Sequence, residues 1–226
     1  MSTSDGPAEP ATSQSAICRA FRVGGSMTQK QPVNEPNWRS RAVEVLPGAS
    51  MPELALMAEL LVGELTRAGL RLAVAESCTA GALANTISTV EGAGKVLYGG
   101  FVTYQAAAKT HLLGVPPATI EACSSVSLNV ARAMALGIFE RTEADLALSI
   151  TGVTGPVEDD RGNPRGRVYI AAARRRAAHL DCHCEFGPFP PAVLLDAALR
   201  NGVLLARDAL ALDHRPSKHP PVLKGA

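Results

Sequence analysis

The amino-acid sequence predicts an α/β layered domain with a mixed sheet. Between residues 49 and 213, short apolar runs typical of buried strands alternate with longer runs in which apolar residues recur at helical spacing. One pair of strand-like runs breaks this alternation, because "HLDCHCEFG" follows "RVYIAAARR" almost directly. Parallel strands need a long crossover connection, so this pair is expected to form an antiparallel hairpin. The sheet should therefore contain both parallel and antiparallel pairs.

The individual elements are predicted from apolar spacing and from residues that begin or end helices. Ser50 and Glu53 have the spacing of a capping box before the first helix, and Gly69 is suited to end it. Gly114 ends a short helix, and the pair Gly99–Gly100 predicts a bend or bulge within a strand. In chain order we expect a helix near 50–69, the strand "RLAVAES", the helix "TAGALANTIS", one or two strands in "GKVLYGGFVTY", the helix "QAAAKTHLL", a helix over 126–141, the strand "DLALSITG", the hairpin, and a helix over 191–211.

The two ends of the chain differ in composition from this segment. Residues 1–48 are rich in Ser, Pro, Gln and Asn and show no sustained periodicity, which predicts a disordered extension. Residues 214–226 are expected to form a flexible tail. The folded domain is therefore expected to span residues 49–213.

The bulk composition argues against several classes of partner. The formal net charge is +1 and aromatic residues make up only 4% of the chain, which disfavours binding to nucleic acid or to an anionic membrane. The five cysteines are scattered and odd in number, unlike a disulfide framework. No apolar run is long enough to span a bilayer. We expect a cytoplasmic protein with reduced thiols that acts on a small molecule.

The segment "ESCTAG" is the first candidate for chemistry, because a buried strand is predicted to become a helix there. A helix beginning near Thr79 would point free N–H groups at whatever lies beside Ser77, and such donors can stabilise an oxyanion. Three interpretations remain open from this segment. Ser77 could be a nucleophile, Cys78 could be one because a helix N-terminus lowers a thiol pKa, or the segment could be only a helix cap.

A serine nucleophile needs a base, and a lysine is a better candidate than a histidine. Of the five histidines, two lie in the tail, two on the predicted hairpin, and His111 on a helix where it should face solvent. Lys109 lies in the small, apolar context "QAAAKTHLL", where desolvation would lower its pKa and let it act as a neutral base. The alternative is an exposed helical lysine. Tyr104 ends the neighbouring strand "FVTY".

Two further segments contain candidate binding residues. The strand end "TGVTGP" offers small hydroxyl and glycine residues that let a ligand approach the backbone. Acids 158–160 are expected to form a solvated loop. The run from His179 to Cys184 invites a zinc interpretation, but no second ligand pair has the spacing of a zinc site, so no metal is expected.

Several motifs in order together resemble the CinA C-terminal family, whose characterised activity is the amidohydrolysis of nicotinamide mononucleotide. The motifs are "AESCTAGALA", "GGFVTYQAAAKTHLLGV", "VSLNVARAMALG", "ADLALSITGVTGP" and "PRGRVYIA", over about residues 52–212. The resemblance implies a three-layer α/β/α sandwich, a homodimer, no cofactor, and a role in the pyridine-nucleotide cycle of NAD metabolism. It also implies Ser77 as nucleophile, Lys109 as base and Tyr104 as a residue that orients the lysine or relays a proton. The substrate-binding residues are expected to be Glu76, Thr79, Gly81, Thr151, Gly152, Thr154 and Gly155.

The sequence departs from the family pattern in three places. Ala80 stands where the family has the first of two glycines, and the loop "VEDDRGNPRGRV" places Arg165 and Arg167 where smaller residues are usual. Near the last helix, residues 187–189 read Gly-Pro-Phe where the family often has an arginine suited to a phosphate. Either arginine of the loop could replace that contact. A CinA-like protein with another substrate, or one that binds without catalysis, is the alternative.

Overall fold

The computed structural model describes residues 38–42, 47, 53–175 and 177–212, and within them one mixed sheet is flanked by helices. The sheet has six strands in the order β1-β6-β5-β4-β2-β3. The strands are β1 (Trp38–Ala42), β2 (Leu72–Glu76), β3 (Leu97–Val102), β4 (Leu146–Gly152), β5 (Arg167–Arg174) and β6 (His179–Glu185). β2 pairs in parallel with β3 and β4, whereas β5 runs antiparallel to both β4 and β6. The predicted mixed sheet and its hairpin are confirmed.

Six α-helices in the described part of the chain connect and cover these strands. They are α1 (Leu54–Ala68), α2 (Ala82–Ser88), α3 (Ala106–Leu113), α4 (Pro117–Cys123), α5 (Leu128–Arg141) and α6 (Pro191–Ala211). A short 3₁₀ helix spans Ala93–Lys95. Gly69 and Gly114 end α1 and α3 in the left-handed conformation that glycine adopts without steric cost.

The helices lie on both faces of the sheet, and the two faces differ in side-chain size. On one face Leu, Ile and Val side chains of the strands pack against α1, α2 and α6. On the other face the strands present mainly alanines, such as Ala73, Ala147 and Ala171, to α5. Small residues let this helix approach the sheet closely, and the Ser149 hydroxyl donates to the carbonyl oxygen of Ala131 in α5 at 2.6 Å. The result is the expected three-layer α/β/α arrangement.

Close contact continues between α5 and α3. A Cβ placed on Gly137 of α5 would come within 2.0 Å of the carbonyl oxygen of Leu113, the last residue of α3. Only glycine fits at this crossing. The contact fixes α3, the helix that carries Lys109, against the body of the domain.

Three predictions about elements need correction. Residues 38–42 fall within the segment expected to be disordered, yet they form β1, which pairs in parallel with β6. Helix α2 begins at Ala82 rather than near Thr79, because residues 77–81 form a turn. Glu53 precedes α1 without a side-chain capping bond, and its predicted partner Ser50 lies outside the described residues.

Two further expectations concern the thiols and the last helix. Cys78, Cys182 and Cys184 are free thiols, whereas Cys123 takes part in a disulfide bond, contrary to the expectation of reduced thiols throughout. The last helix spans 191–211 as predicted. Among the helices that the structure describes, none has the length and apolarity needed to cross a membrane.

Candidate active site

The candidate residues meet at one edge of the sheet because three strands run in the same direction. In the register of β2 with its two parallel neighbours, Glu76 lies beside Val102 of β3 and Ile150 of β4. The residues next along the chain, Ser77 and Thr103 after their strands and Thr151 near the end of β4, therefore come together at the carboxyl ends, where ligands bind in open α/β sheets. The antiparallel β5 begins at the same edge with Arg167.

Ser77 opens a tight turn between β2 and α2. Its backbone N–H donates to the carbonyl oxygen of Ile150 at 3.0 Å, so the chain is still held to β4 at this point. The turn then passes through Ala80, with a φ of 50°, and Gly81, with a φ of 97°. The left-handed conformation of both residues reverses the chain within five residues. Ser77 is thereby held at the strand end with 7% of its surface exposed.

Glu76 is buried, and its carboxylate turns forward to the start of α2. Oε2 accepts hydrogen bonds from the N–H groups of Gly81 and Leu83, both at 3.0 Å, and Oε1 accepts one from Ala84 at 2.8 Å. Of these three, Gly81 lies in the first turn of the helix that the sequence predicts near Thr79, so its amide is not free for an oxyanion. The carboxylate therefore already accepts three bonds from protein donors, and the substrate-binding role of Glu76 stays a prediction.

The N–H groups without a hydrogen-bond acceptor elsewhere in the protein belong to the residues between Ser77 and Ala80. In the part of the chain that the structure describes, the N–H of Thr79 donates to no protein acceptor, and the N–H of Cys78 donates to none outside its own residue. The Thr79 hydroxyl is also buried without a hydrogen-bond partner among those residues. Two amides and one hydroxyl thus stand directly after Ser77 with unused hydrogen-bonding capacity.

Lys109 is buried, contrary to the alternative of an exposed helical lysine. Only 1% of its surface is exposed, and its Nζ donates to the carbonyl oxygen of Thr103 at 3.0 Å. No carboxylate in the described residues forms an ion pair with it. Burial lowers the pKa of Lys109 from 10.5 to about 8. A neutral amine is therefore accessible near neutral pH.

The thiol of Cys78 is a poor nucleophile in this environment. Burial raises its pKa to about 12, against a smaller lowering effect from the charge of Lys109. The thiol is therefore protonated at neutral pH, whereas nucleophilic attack needs the thiolate. Cys78 instead packs against the apolar core on the α2 side of the sheet.

The lysine is held by a backbone group and makes no hydrogen bond to Tyr104 in the described part of the chain. The side chain of Tyr104 is 70% exposed, and it makes no hydrogen bond within the described residues. The group that holds Lys109 is the backbone carbonyl of Thr103, one residue earlier. Sequence reasoning missed Thr103, because a backbone carbonyl contact leaves no side-chain signature.

The predicted binding residues after β4 divide into two groups. Thr151 is buried and its hydroxyl donates to the carbonyl oxygen of Ser125 at 3.0 Å, while a Cβ on Gly152 would meet the Arg167 carbonyl oxygen at 2.7 Å. These two residues support the strand end. The Thr154 hydroxyl donates to the carbonyl oxygen of Cys78 at 3.2 Å and so ties this loop to the Ser77 turn. Gly155 faces open space.

The two loop arginines have different surroundings. Arg167 forms an ion pair with Glu185 at 2.6 Å, and Glu185 also bonds to His183. The guanidinium of Arg165 donates instead to the backbone carbonyls of Pro156 and Phe189, and its Nε is buried without a partner in the described part of the chain. No carboxylate there compensates the charge of Arg165. Of the two, only Arg165 has a charge that no carboxylate pairs with among the described residues.

The zinc interpretation of β6 finds no support in the placement of its residues. Cys182 and Cys184 face the apolar core, with their sulfur atoms 3.9 Å apart, whereas His183 lies on the opposite face and stacks on Tyr169. His179 accepts a hydrogen bond from the backbone N–H of Arg174 through Nδ1. No group of three potential metal ligands occurs among the described residues.

Comparison with curated proteins finds relatives of the central part of the chain. A CinA-like protein of Desulfotalea psychrophila is 43% identical over 117 residues, which are 52% of this chain and 28% of that protein. A CinA-like protein of Desulfovibrio desulfuricans is 41% identical over 142 residues, 63% of this chain and 33% of that protein. The chain thus matches about a third or less of the length of these relatives.

Solved structures match a larger share of this chain than the curated relatives do. The competence/damage inducible protein CihA from Agrobacterium tumefaciens superposes with a TM-score of 0.67 at 29% identity, covering 74% of this chain and 99% of that one. The model of the CinA C-terminal domain matches residues 54–188, the segment that contains the whole Ser77–Lys109 region. The chain belongs to the CinA C-terminal domain family.

Proposed function

We propose that this protein is an amidohydrolase that converts nicotinamide mononucleotide to nicotinate mononucleotide and ammonia. One observation carries the proposal: a buried lysine without a carboxylate partner lies at the same sheet edge as a serine held in a strand-to-helix turn. A lysine whose pKa is lowered by burial can serve as the base for a serine nucleophile. The carboxamide of the substrate supplies the bond that such a pair would break.

The proposed reaction has two halves. Neutral Lys109 takes the proton of the Ser77 hydroxyl as Oγ attacks the carboxamide carbon, and the carbonyl oxygen becomes an oxyanion. The C–N bond then breaks, the leaving nitrogen takes the proton from Lys109, and ammonia departs from an acyl-enzyme. Water attacks the acyl-enzyme with Lys109 again as base. The proton returns to Ser77 Oγ, and nicotinate mononucleotide is released.

The oxyanion would be stabilised by the N–H groups of Cys78 and Thr79. The residue directly after a nucleophile commonly supplies such a donor in strand–turn–helix sites. These amides are uncommitted, whereas those at the start of α2 are bound to Glu76. One well-placed oxyanion donor typically contributes about 3–4 kcal/mol of transition-state stabilisation.

The substrate phosphate would be bound by Arg165. Its loop is joined to the Ser77 turn through Thr154, and the backbone N–H of its neighbour Gly166 donates to the carbonyl oxygen of Val153 at 2.8 Å. Arginine binds phosphate well because its planar fork of donors matches the phosphate oxygens. Tyr104, exposed at the end of β3, would contact bound substrate or relay a proton. We further propose that the protein acts in the cytoplasm as a homodimer, without a cofactor.

The test is ammonia release from nicotinamide mononucleotide by purified protein, with nicotinamide and other small amides in parallel. The Ser77→Ala variant should lose activity, whereas Cys78→Ala should keep it, since Cys78 is a packing residue in this scheme. Full activity in Ser77→Ala would refute the serine mechanism. Activity on another amide alone would favour a changed substrate, and saturable nucleotide binding without turnover would favour a binding protein.

A further inference from the structure

We propose that Glu76 is a positioning residue that holds the Ser77 turn and Lys109 in one hydrogen-bonded unit. The inference rests on the proposed function, because it assigns a role to a residue that touches neither the substrate nor the reacting atoms. Glu76 directly precedes Ser77 and has only 1% of its surface exposed. Glu76 makes two separate sets of hydrogen bonds, one through its side chain and one through its backbone carbonyl.

The side-chain contacts fix the far side of the turn. The carboxylate reaches over Ser77, Cys78 and Thr79 to accept three N–H groups, those of Gly81, Leu83 and Ala84, at 2.8–3.0 Å. The first of these residues has a left-handed φ of 97°. The loop that carries Ser77 is therefore held at its strand end by β4 and at its helix end by Glu76.

The backbone contacts lead to the base. The carbonyl oxygen of Glu76 accepts a hydrogen bond from the N–H of Thr103 at 2.7 Å and a longer one, 3.4 Å, from the Thr103 hydroxyl. The carbonyl of Thr103 in turn accepts from Lys109 Nζ at 3.0 Å. Glu76 is thus adjacent to the proposed nucleophile in the chain and is linked to the proposed base through a single residue, Thr103.

Two acceptor oxygens suit the three amides better than one. Both oxygens of a carboxylate are acceptors, whereas a glutamine side chain has one oxygen and one NH₂ group. In Glu76→Gln the NH₂ group would face at least one backbone N–H, so at least one of the three bonds would be lost. An aspartate would be too short to reach Ala84. The turn would then relax and move Ser77 relative to Lys109.

The experiment compares steady-state kinetics of the wild type, Glu76→Gln and a matched control. We expect kcat of Glu76→Gln to fall by about 100-fold with little change in KM, because a displacement of about 1 Å costs that much in a positioned reaction. The control is Asp145→Asn at the opposite end of the sheet, where Oδ2 accepts from the backbone N–H of Arg71 at 2.9 Å. It should leave kcat unchanged, because this carboxylate lies far from Ser77 and the asparagine oxygen can still accept the single bond.

The outcomes separate this inference from the proposed function. If Ser77→Ala is inactive but Glu76→Gln keeps the wild-type kcat, the positioning role is wrong and the serine mechanism stands. If Ser77→Ala remains active, the proposed function itself is wrong. Hydrogen exchange on the wild type gives a result even when Glu76→Gln does not fold. The amides of Gly81, Leu83 and Ala84 should exchange as slowly as core strand amides, and exchange at loop rates would overturn the inference.

Discussion

Lys109 Nζ donates a 3.0 Å hydrogen bond to the carbonyl oxygen of Thr103, and this bond joins the buried lysine to the strand edge that carries Ser77. A carbonyl oxygen carries no full charge, so it holds the amine in place without stabilising the ammonium as a carboxylate would. Burial can therefore lower the pKa of Lys109 to about 8. The arrangement keeps a lysine both fixed in position and available as a base.

The first prediction is that catalysis follows the neutral form of Lys109. A base acts only when deprotonated, so kcat/KM for ammonia release should rise with pH and level off above about 8, the pKa that burial gives this lysine. The measurement is the pH profile of kcat/KM between 6 and 10. A profile that is flat through this range, or that falls as pH rises toward 8, would contradict the assignment of Lys109 as base.

The second prediction concerns stability and uses the Lys109→Met variant. The folded protein holds the Lys109 proton less tightly than the unfolded chain, so wild-type stability should rise as pH increases from about 8 to 10.5. A shift of this size corresponds to about 3 kcal/mol. Methionine cannot titrate. The difference in the free energy of unfolding, wild type minus Lys109→Met, should therefore be about 2–3 kcal/mol larger at pH 10 than at pH 7.

Denaturant unfolding of both proteins at the two pH values measures this difference. Loss of the bond to Thr103 affects the variant equally at both values, so it cancels from the comparison. Arg200→Gln, on a surface helical ion pair with Asp196, is the control and should show no such gain. An equal difference between wild type and Lys109→Met at pH 7 and pH 10 would show that Lys109 titrates normally.

The arrangement of the elements could be predicted from the sequence because their signals are local. Apolar spacing, Gly69, Gly114 and the two hairpin runs each depend on residues near one another in the chain. Strand β1 could not be predicted, because it is held by pairing with β6, far away in sequence. A polar segment such as "WRSRA" carries no apolar alternation that would reveal such a pairing.

The candidate residues of the site could be proposed from the sequence, but most of their contacts could not. Ser77 and Lys109 could be proposed from motifs, and the burial of Lys109 from its small, apolar neighbours. The hydrogen bonds from the amides at the start of α2 to Glu76 could not be predicted, because they depend on a turn of five residues that reverses the chain. That turn moves the helix start to Ala82 and leaves the amides of Cys78 and Thr79 as the free donors.

The third prediction separates the two loop arginines. Arg165→Gln should raise KM for nicotinamide mononucleotide by about 10-fold or more, since one lost charge-assisted hydrogen bond is worth about 1.5–3 kcal/mol. KM for nicotinamide riboside, which lacks the phosphate, should be unchanged. Arg167→Gln should leave both values near those of the wild type, because Arg167 is already paired with Glu185. Equal effects of Arg165→Gln on both substrates would exclude a phosphate contact.

The fourth prediction concerns the turn that carries Ser77. Ala80 has a φ of 50°, a left-handed conformation that costs an L-residue with a side chain about 1–2 kcal/mol. Glycine adopts this conformation freely but loses more entropy on folding, so Ala80→Gly should stabilise the protein by about 0.5–1 kcal/mol. Ala80 is exposed, so removal of its methyl group loses little packing. Urea unfolding at fixed pH measures the change.

The matched control for Ala80→Gly lies two residues further along the chain. Ala82 is the first residue of α2, in ordinary helical conformation, so Ala82→Gly should destabilise the protein by about 0.5–1 kcal/mol. The two substitutions are chemically identical and differ only in the backbone conformation they meet. Opposite signs would therefore establish that strain at Ala80 is stored in the turn beside Ser77. If both variants lost stability, the left-handed conformation of Ala80 would not be the one the protein adopts in solution.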